Sequence, residues 1–182
     1  MRIDLSIANR NVDLVGEGYD LAIRHGALRD SALIGRQLEE ASLHLVAAPG
    51  YVARAGQPDS LAALAGHACL PFVMPGSGRV GPWLFRDEGR DVEWQPTGQV
   101  MVSDDVLGTI ALAESGLGIC QVYDFIAQEK IAQGRLVEVL ARYRGRSRPF
   151  SVIYPPHRQL SPAARALIDW LVANTAKAPP SA

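Results

Sequence analysis

The stretch SDDVLGTIALAESGLGICQV, residues 103–122, joins a helix directly to a strand. Ser103 or Asp104 is typical of a helix N-cap, and acidic side chains in the first turn complement the helix dipole. Apolar residues then recur at helical spacing until a glycine ends the repeat. The segment GICQV, 118–122, follows at once and is typical of a buried strand. A helix running straight into a strand predicts an α/β fold.

Short helices and strands alternate along the rest of the chain. The last helix begins at Ser161, a predicted N-cap, with Pro162 as its first residue and Trp170 on the predicted apolar face. A hairpin over 84–96 is predicted to turn at Glu88-Gly89. The other predicted strands cover 2–8, 20–25, 43–48, 135–140 and 149–155, and the other predicted helices cover 59–66, 124–134 and 161–177.

The composition is that of an ordinary globular protein. The chain has 182 residues, 48% of them hydrophobic, and its 18 basic and 19 acidic residues leave a net charge of -1. This balance gives no overall attraction to nucleic acid or anionic membranes. Cys69 and Cys120 form no CxxC pattern and are predicted to be buried free thiols. With no signal peptide and no apolar run of about 20 residues, we expect a cytoplasmic protein with no membrane partner.

Sequence motifs of catalysis are missing. There is no GxSxG, HExxH or GxxxxGK[ST], and the four histidines show no metal-ligand spacing. The glycine-rich segment GSGRVG, 76–81, could bind an anion through its amides or could be an ordinary loop. We therefore predict no catalytic residues, no metal, no cofactor and no enzyme activity.

Three polar clusters can each be interpreted either as a binding site or as a purely structural feature. Arg24, His25 and Gly26 end a predicted strand, where ligands bind in open α/β sheets, but Arg24 could instead pair with an acid such as Asp30. The helix start at 103–105 could be a cap alone or could also line a ligand cleft. The arginines of ARYRGRSRP, 141–149, could meet phosphate or an acidic partner, or could be a solvated edge.

Long segments of the chain resemble the effector-binding domain of LysR-type transcriptional regulators. They are NRNVDLVGEGYDLAIRHGALRDSALIGRQL (9–38), LHLVAAPGYVARAGQPDSLAALAGHACL (43–70), SDDV...ALAESGLGIC (103–120), AQGRLVEVL (132–140) and SVIYPPHRQLSPAARALIDWL (151–171). Their order and spacing agree from about residue 3 to residue 172.

The resemblance implies two Rossmann-like subdomains in a type 2 periplasmic-binding-protein-like fold. Subdomain I would combine 1–47 with 150–182, subdomain II would be 48–149, and the crossings near 46–47 and 150–151 would form a hinge. A small molecule, with a small anion as one candidate, would bind in the cleft and alter how the full regulator contacts DNA. The cleft residues implied are Asn9, Arg10, Arg24, His25, Gly26, Pro75, Gly76, Ser103, Asp104 and Asp105.

The chain also departs from the family pattern. It has neither the helix-turn-helix nor the linker helix, so DNA contact would need a domain absent from this chain, and homo-oligomers would belong to the full-length regulator. It lacks the strand and helix that open subdomain I, and Tyr123 stands where the family commonly has proline. The alternative is a free-standing solute-binding protein of the same fold, which in its periplasmic form would need an export signal.

Overall fold

The computed structural model describes residues 2–8, 10, 12–26, 33–75, 77–156 and 160–175. The chain forms two compact units. The first contains Met1–Ala8, Val12–Ala41 and Arg148–Ala182, and the second contains Asn9–Asn11 and Ser42–Ser147. Strands β2 (Ile34–Ala47) and β9 (Ser147–Tyr154) therefore each begin in one unit and end in the other. The subdomain boundaries at 47/48 and 149/150 stay a prediction.

In the first unit, β1 (Ala22–His25) pairs antiparallel with β9, so that Arg24 lies opposite Ser151. Helix α4 (Pro162–Thr175) packs through its buried residue Ile168 in a cluster with Leu38 and Val152. The predicted start of α4 is confirmed, because the Ala164 amide donates a hydrogen bond to Ser161 Oγ at 3.1 Å. Trp170, in contrast, is 61% exposed rather than part of the apolar face.

In the second unit, the end of β2 pairs antiparallel with both β7 (Cys120–Tyr123) and β8 (Val137–Glu138). The five-stranded sheet has the strand order β1-β9-β2-β7, and β8 also pairs with β2. The predicted hairpin is confirmed as β4 (Trp83–Asp87) and β5 (Arg90–Trp94), which turn through positive φ angles at Glu88 and Gly89. The helices are α1 (Pro49–Ala55), α2 (Val106–Glu114) and α3 (Asp124–Ala132), with 3₁₀ turns at Ala62–Gly66 and Ala141–Tyr143.

Parallel strand pairing in the second unit determines where the loops that carry predicted site residues lie. β3 (Phe72–Val73) and β6 (Val102–Ser103) run parallel, with Val73 opposite Ser103. Just before β3, Cys69 also pairs in parallel with Ile119, at the entry to β7. Because β3 and β6 run in one direction, the residues that follow these two strands lie at one carboxyl edge of their two-stranded sheet.

The predicted strand over 2–8 is wrong. These residues adopt no regular secondary structure, and Leu5 and Ile7 are 80% and 87% exposed. Their alternation has the period of a strand, but a strand also needs a neighbour to satisfy its backbone groups, and no described strand pairs with it. Periodicity alone therefore does not establish a strand at this position.

Two helical segments differ from the prediction. The predicted strand over 43–48 ends at Ala47, and Pro49 then begins α1, a helix that was not predicted, at a position where the missing N–H of proline costs nothing. The segment 59–66 was expected to be a helix, but only a 3₁₀ turn forms, over Ala62–Gly66. Both errors arise because proline, glycine and serine occur at turns as well as at helix ends.

The two cysteines are free and buried, as predicted. Burial raises the pKa of Cys69 to about 11 and that of Cys120 to about 12. We expect neither thiol to react with Ellman's reagent at neutral pH in the folded chain, because the reagent needs an accessible thiolate. Both should react at once in concentrated guanidinium chloride. Rapid labelling of the native chain would contradict this burial.

Candidate functional site

Arg24 holds a neighbouring loop of its own unit. Its Nη2 donates a hydrogen bond to the Val12 carbonyl oxygen at 2.7 Å, and its side chain is partly buried. Asp30, the acid proposed as an alternative partner, lies outside the described residues. The guanidinium has five N–H donors, and only this bond is made within the described part of the chain. Arg24 can therefore position the loop and still offer donors to a ligand.

The loop that contacts Arg24 through the Val12 carbonyl is a tight turn with hydrogen bonds among its own residues. Asp13 Oδ1 accepts hydrogen bonds from the amides of Val15 and Gly16 at 3.2 and 3.1 Å. The Asp13 amide in turn donates to Glu17 Oε1 at 3.0 Å, while Leu14 is only 2% exposed. Carboxylates that accept backbone amides fix the path of a turn. Arg24 is thus anchored to a preformed loop, and nothing in the sequence singled out Val12 as its partner.

His25 is the last residue of β1, and Gly26 follows it. The His25 ring lies 5.9 Å from the Phe150 ring, centroid to centroid, and the Gly26 amide donates to the Pro149 carbonyl at 2.8 Å. Gly26 has φ +88°, a left-handed conformation that favours glycine. Burial, and to a smaller degree the positive charge of Arg148, lower the pKa of His25 from its ordinary value of 6.5. The ring is therefore neutral at physiological pH.

The lowered pKa of His25 predicts a dependence of stability on pH. As the pH falls through 6.5, the unfolded chain takes up this proton before the folded chain does. The contribution of His25 is therefore fully present above pH 6.5 and is lost below it. Urea unfolding between about pH 8 and about pH 5 should show wild type losing more stability than His25→Gln. Parallel curves for the two proteins would contradict the shift, since all other titrating groups are shared.

Two predicted site segments of the second unit lie at its carboxyl edge. Pro75 follows β3, and Asp104 and Asp105 follow β6, which is paired in parallel with β3. The Met74 amide donates a hydrogen bond to the Arg79 carbonyl oxygen at 2.8 Å. This arrangement favours an ordinary loop for GSGRVG over an anion cradle. Gly76 lies outside the described residues.

The start of α2 differs from the prediction. The N-cap residue is Asp105, and its side chain makes no capping hydrogen bond. Asp104 has φ +59°, a conformation that aspartate tolerates better than most residues, so Ser103 and Asp104 precede the helix instead of capping it. Ser103, Asp104 and Asp105 are all exposed. Their side chains are thus presented at the carboxyl edge.

The remaining predicted site residues are less informative. Arg10 is exposed and belongs to the second unit, and Asn9 lies outside the described residues. Within the described part of the chain, no group of three or more His, Cys, Asp or Glu side chains could hold a metal ion. No described helix has both the length and the apolar character needed to cross a membrane.

Three arginines of the segment 141–149 make contacts within the protein. Arg142 lies in a 3₁₀ turn and not in an extended strand, and it donates to the Asp59 carbonyl and to Tyr143 Oη. Arg144 pairs with both carboxylate oxygens of Glu138. Arg146 Nη1 lies 3.2 Å from Asp91 Oδ2. These contacts favour a structural role over a phosphate-binding surface.

Comparisons with known proteins agree with this architecture. The family described as LysR substrate binding domain matches residues 1–176. The HTH-type transcriptional regulator CrgA of Neisseria meningitidis is 32% identical over 174 residues, which are 94% of this chain and 56% of that protein. The uncharacterized HTH-type transcriptional regulator YhjC of Escherichia coli is 32% identical over 172 residues, or 94% and 57%. The chain thus spans somewhat more than half the length of these relatives.

Solved structures show the same fold. The CrgA regulatory domain, from a LysR-type regulator of Neisseria meningitidis, matches with a TM-score of 0.76 and 31% identity over 88% of this chain and 78% of that one. The full-length Vibrio cholerae virulence activator AphB matches with a TM-score of 0.77 and 25% identity over 96% and 58%. The α/β fold predicted from the sequence is therefore that of these regulatory domains, and the chain belongs to the LysR substrate-binding domain family.

Proposed function

We propose that this chain is the effector-sensing part of a LysR-type bacterial transcriptional regulator. The observation that carries the proposal is the carboxyl edge formed by β3 and β6, where Pro75, Asp104 and Asp105 follow two parallel strands. Open α/β sheets bind ligands at such edges. A small-molecule effector would bind at this edge, with no catalytic step, and Arg24, His25 and Gly26 of the first unit stay predicted ligand contacts.

The names and lengths of the relatives support a proposal about the remainder of the regulator. Curated relatives are named HTH-type regulators, and this chain matches 56% and 57% of the length of two of them. We infer that DNA is bound through a helix-turn-helix domain outside these 182 residues. Regulation would take place in the cytoplasm, in a homo-oligomer of the full-length protein. Effector binding would change how that oligomer contacts its promoter DNA.

Ligand-induced stabilisation tests the proposal. The purified chain is heated with small organic acids, amino acids and phenolic compounds, and a ligand at 100 times its Kd should add about 2.7 kcal/mol to the free energy of unfolding. Arg24→Ala should weaken binding at least about tenfold if the guanidinium meets a carboxylate.

Arg36→Ala is the matched control for Arg24→Ala. Arg36 belongs to the same unit and forms an exposed ion pair with Asp169 at 2.7 Å, which is expected to contribute less than about 1 kcal/mol. Its loss should leave ligand binding unchanged. Ligands whose Kd is unaffected by both Arg24→Ala and Asp104→Asn would show that the effector binds elsewhere.

A further inference from the structure

The outer edge of β1 and the segment 2–8 each lack a partner strand among the described residues. β1 stands at the end of the strand order, where one of its edges pairs with β9 and no described strand pairs with the other. The segment 2–8 has the apolar alternation of a strand but no regular secondary structure. Both belong to the first unit, which therefore contains an open strand edge and an unpaired strand-like segment.

The hydrogen bonds between β1 and β9 determine which backbone groups face the open edge. The Gly26 amide donates to the Pro149 carbonyl oxygen at 2.8 Å, two residues beyond the pair of Arg24 and Ser151. Hydrogen-bonded and non-hydrogen-bonded pairs alternate in an antiparallel ladder. Arg24 therefore bonds to β9 through its backbone, whereas the N–H and C=O groups of Ile23 point to the open edge.

The side chains on both segments are suited to strand pairing. Ile23, in the middle of β1, is 51% exposed. The segment 2–8 offers three exposed apolar side chains at strand spacing, which are Ile3, Leu5 and Ile7. Neither segment contains proline or lysine, which natural proteins place at sheet edges to block pairing. Bringing the two segments together would remove this apolar surface from water.

One antiparallel register matches both the apolar and the charged side chains. In this register Leu5 lies opposite Ile23, so that the two residues exchange both backbone hydrogen bonds. Asp4 then lies opposite Arg24 in a non-hydrogen-bonded pair, where side chains approach most closely. The Arg24 guanidinium retains N–H donors beyond the one bonded to a carbonyl oxygen, and Asp4 can accept them in addition to its exposed contact with Arg2. Opposite charges in such a pair stabilise a sheet.

We propose that two copies of this chain form a dimer in which the segment 2–8 of each copy pairs antiparallel with β1 of the other. A second copy fits this edge because it supplies a strand-like segment that the chain leaves unpaired, with an acidic residue opposite Arg24. Each copy gives one segment and receives one, so the exchange closes as a two-fold dimer and not as an open filament. The inference concerns the assembly of this chain and is independent of effector binding.

Light scattering of the purified chain tests the dimer. We expect the mass to approach twice that of one chain as the concentration rises. Leu5→Pro removes the N–H that would bond to Ile23 and should return the mass to that of one chain. Ser6→Pro is the matched control, because in this register its N–H points away from β1 and the dimer should persist. Both positions are exposed and lie outside regular secondary structure, so neither proline should impair folding.

Cysteine cross-linking locates the contact between the copies. The single variants Leu5→Cys and Ile23→Cys are mixed and mildly oxidised, because residues opposite each other in paired strands have Cα atoms about 5.5 Å apart, within disulfide range. A covalent dimer should form faster in this mixture than in either variant alone. A mixture of Val15→Cys with Ile23→Cys is the control, since Val15 is exposed in the same unit but lies outside the pairing. The native Cys69 and Cys120 are buried and should not interfere.

Four results would overturn the proposal. The first is the mass of one chain at every concentration up to millimolar, and the second is a dimer that persists in Leu5→Pro. The third is a dimer that persists in Leu5→Pro but is lost in Trp170→Ala, which would assign the contact to the exposed face of α4. The fourth is a disulfide within single molecules of a Leu5→Cys, Ile23→Cys double variant without any covalent dimer, which would show that the segment folds back on its own β1.

Discussion

Gly118→Ala should lower the free energy of unfolding by about 3 kcal/mol. Gly118 is buried, and a Cβ at this position would lie 2.3 Å from the Ala68 carbonyl oxygen and 3.0 Å from the Ala68 carbonyl carbon. Both are backbone atoms, and that oxygen also accepts the Ile119 amide at 2.8 Å. The methyl group can fit only if the parallel segments move apart. Urea unfolding followed by circular dichroism measures the loss.

Gly50→Ala is the matched control for Gly118→Ala. Gly50 is exposed in α1, and a Cβ there would meet no atom within 4 Å. Alanine at a helical position free of clashes stabilises a protein by about 0.5–1 kcal/mol, because the unfolded chain has less entropy to lose. Opposite signs for the two substitutions are therefore expected. A similar loss in both would mean that the close approach at Gly118 is not the cause.

Ile110→Ala should cost about 2–5 kcal/mol. Ile110 is 2% exposed on α2 and packs in a cluster that includes Leu70, Cys120 and Val122. Removing its outer carbons leaves a cavity between α2 and the strands. Because α2 directly follows Asp104 and Asp105, looser packing should also weaken any ligand held at the carboxyl edge. Denaturant unfolding and ligand titration of the same variant measure the two effects.

Leu107→Ala provides the comparison on the same helix. Leu107 is 66% exposed, so its truncation should change the free energy of unfolding by no more than about 0.5 kcal/mol. Leucine and isoleucine lose similar volume on truncation, so the difference between the two variants reports burial. Equal destabilisation would show that α2 is not held by the face that carries Ile110.

Local chemistry in the sequence was sufficient for several elements. Ser161 and Pro162 predicted the start of α4, and Glu88-Gly89 predicted the turn between β4 and β5. In each case neighbouring residues satisfy or preset the backbone, so no distant contact is needed. The strand that ends at His25 was also predicted, because its apolar alternation coincides with a real partner strand, β9.

Other features could not be predicted because their partners are distant in the sequence. The segment 2–8 has the same alternation as a paired strand but no described neighbour. Trp170 was expected on the buried face of α4, yet the packed cluster uses Ile168 instead. Ser103 or Asp104 was predicted to cap α2, yet the N-cap residue is Asp105, whose side chain makes no capping hydrogen bond. In these places the outcome depends on which surfaces meet, and local spacing does not contain that information.

The sequence by itself determined the α/β class, the family and the types of residue available for binding, because these follow from local periodicity and from the order of motifs. Only the tertiary structure decided that the Arg24 guanidinium bonds to the Val12 carbonyl and that Pro75 and Asp104 follow two paired strands. Parallel pairing brings together residues from separate parts of the chain. The physical reason is that strand direction and register are set by long-range backbone hydrogen bonds.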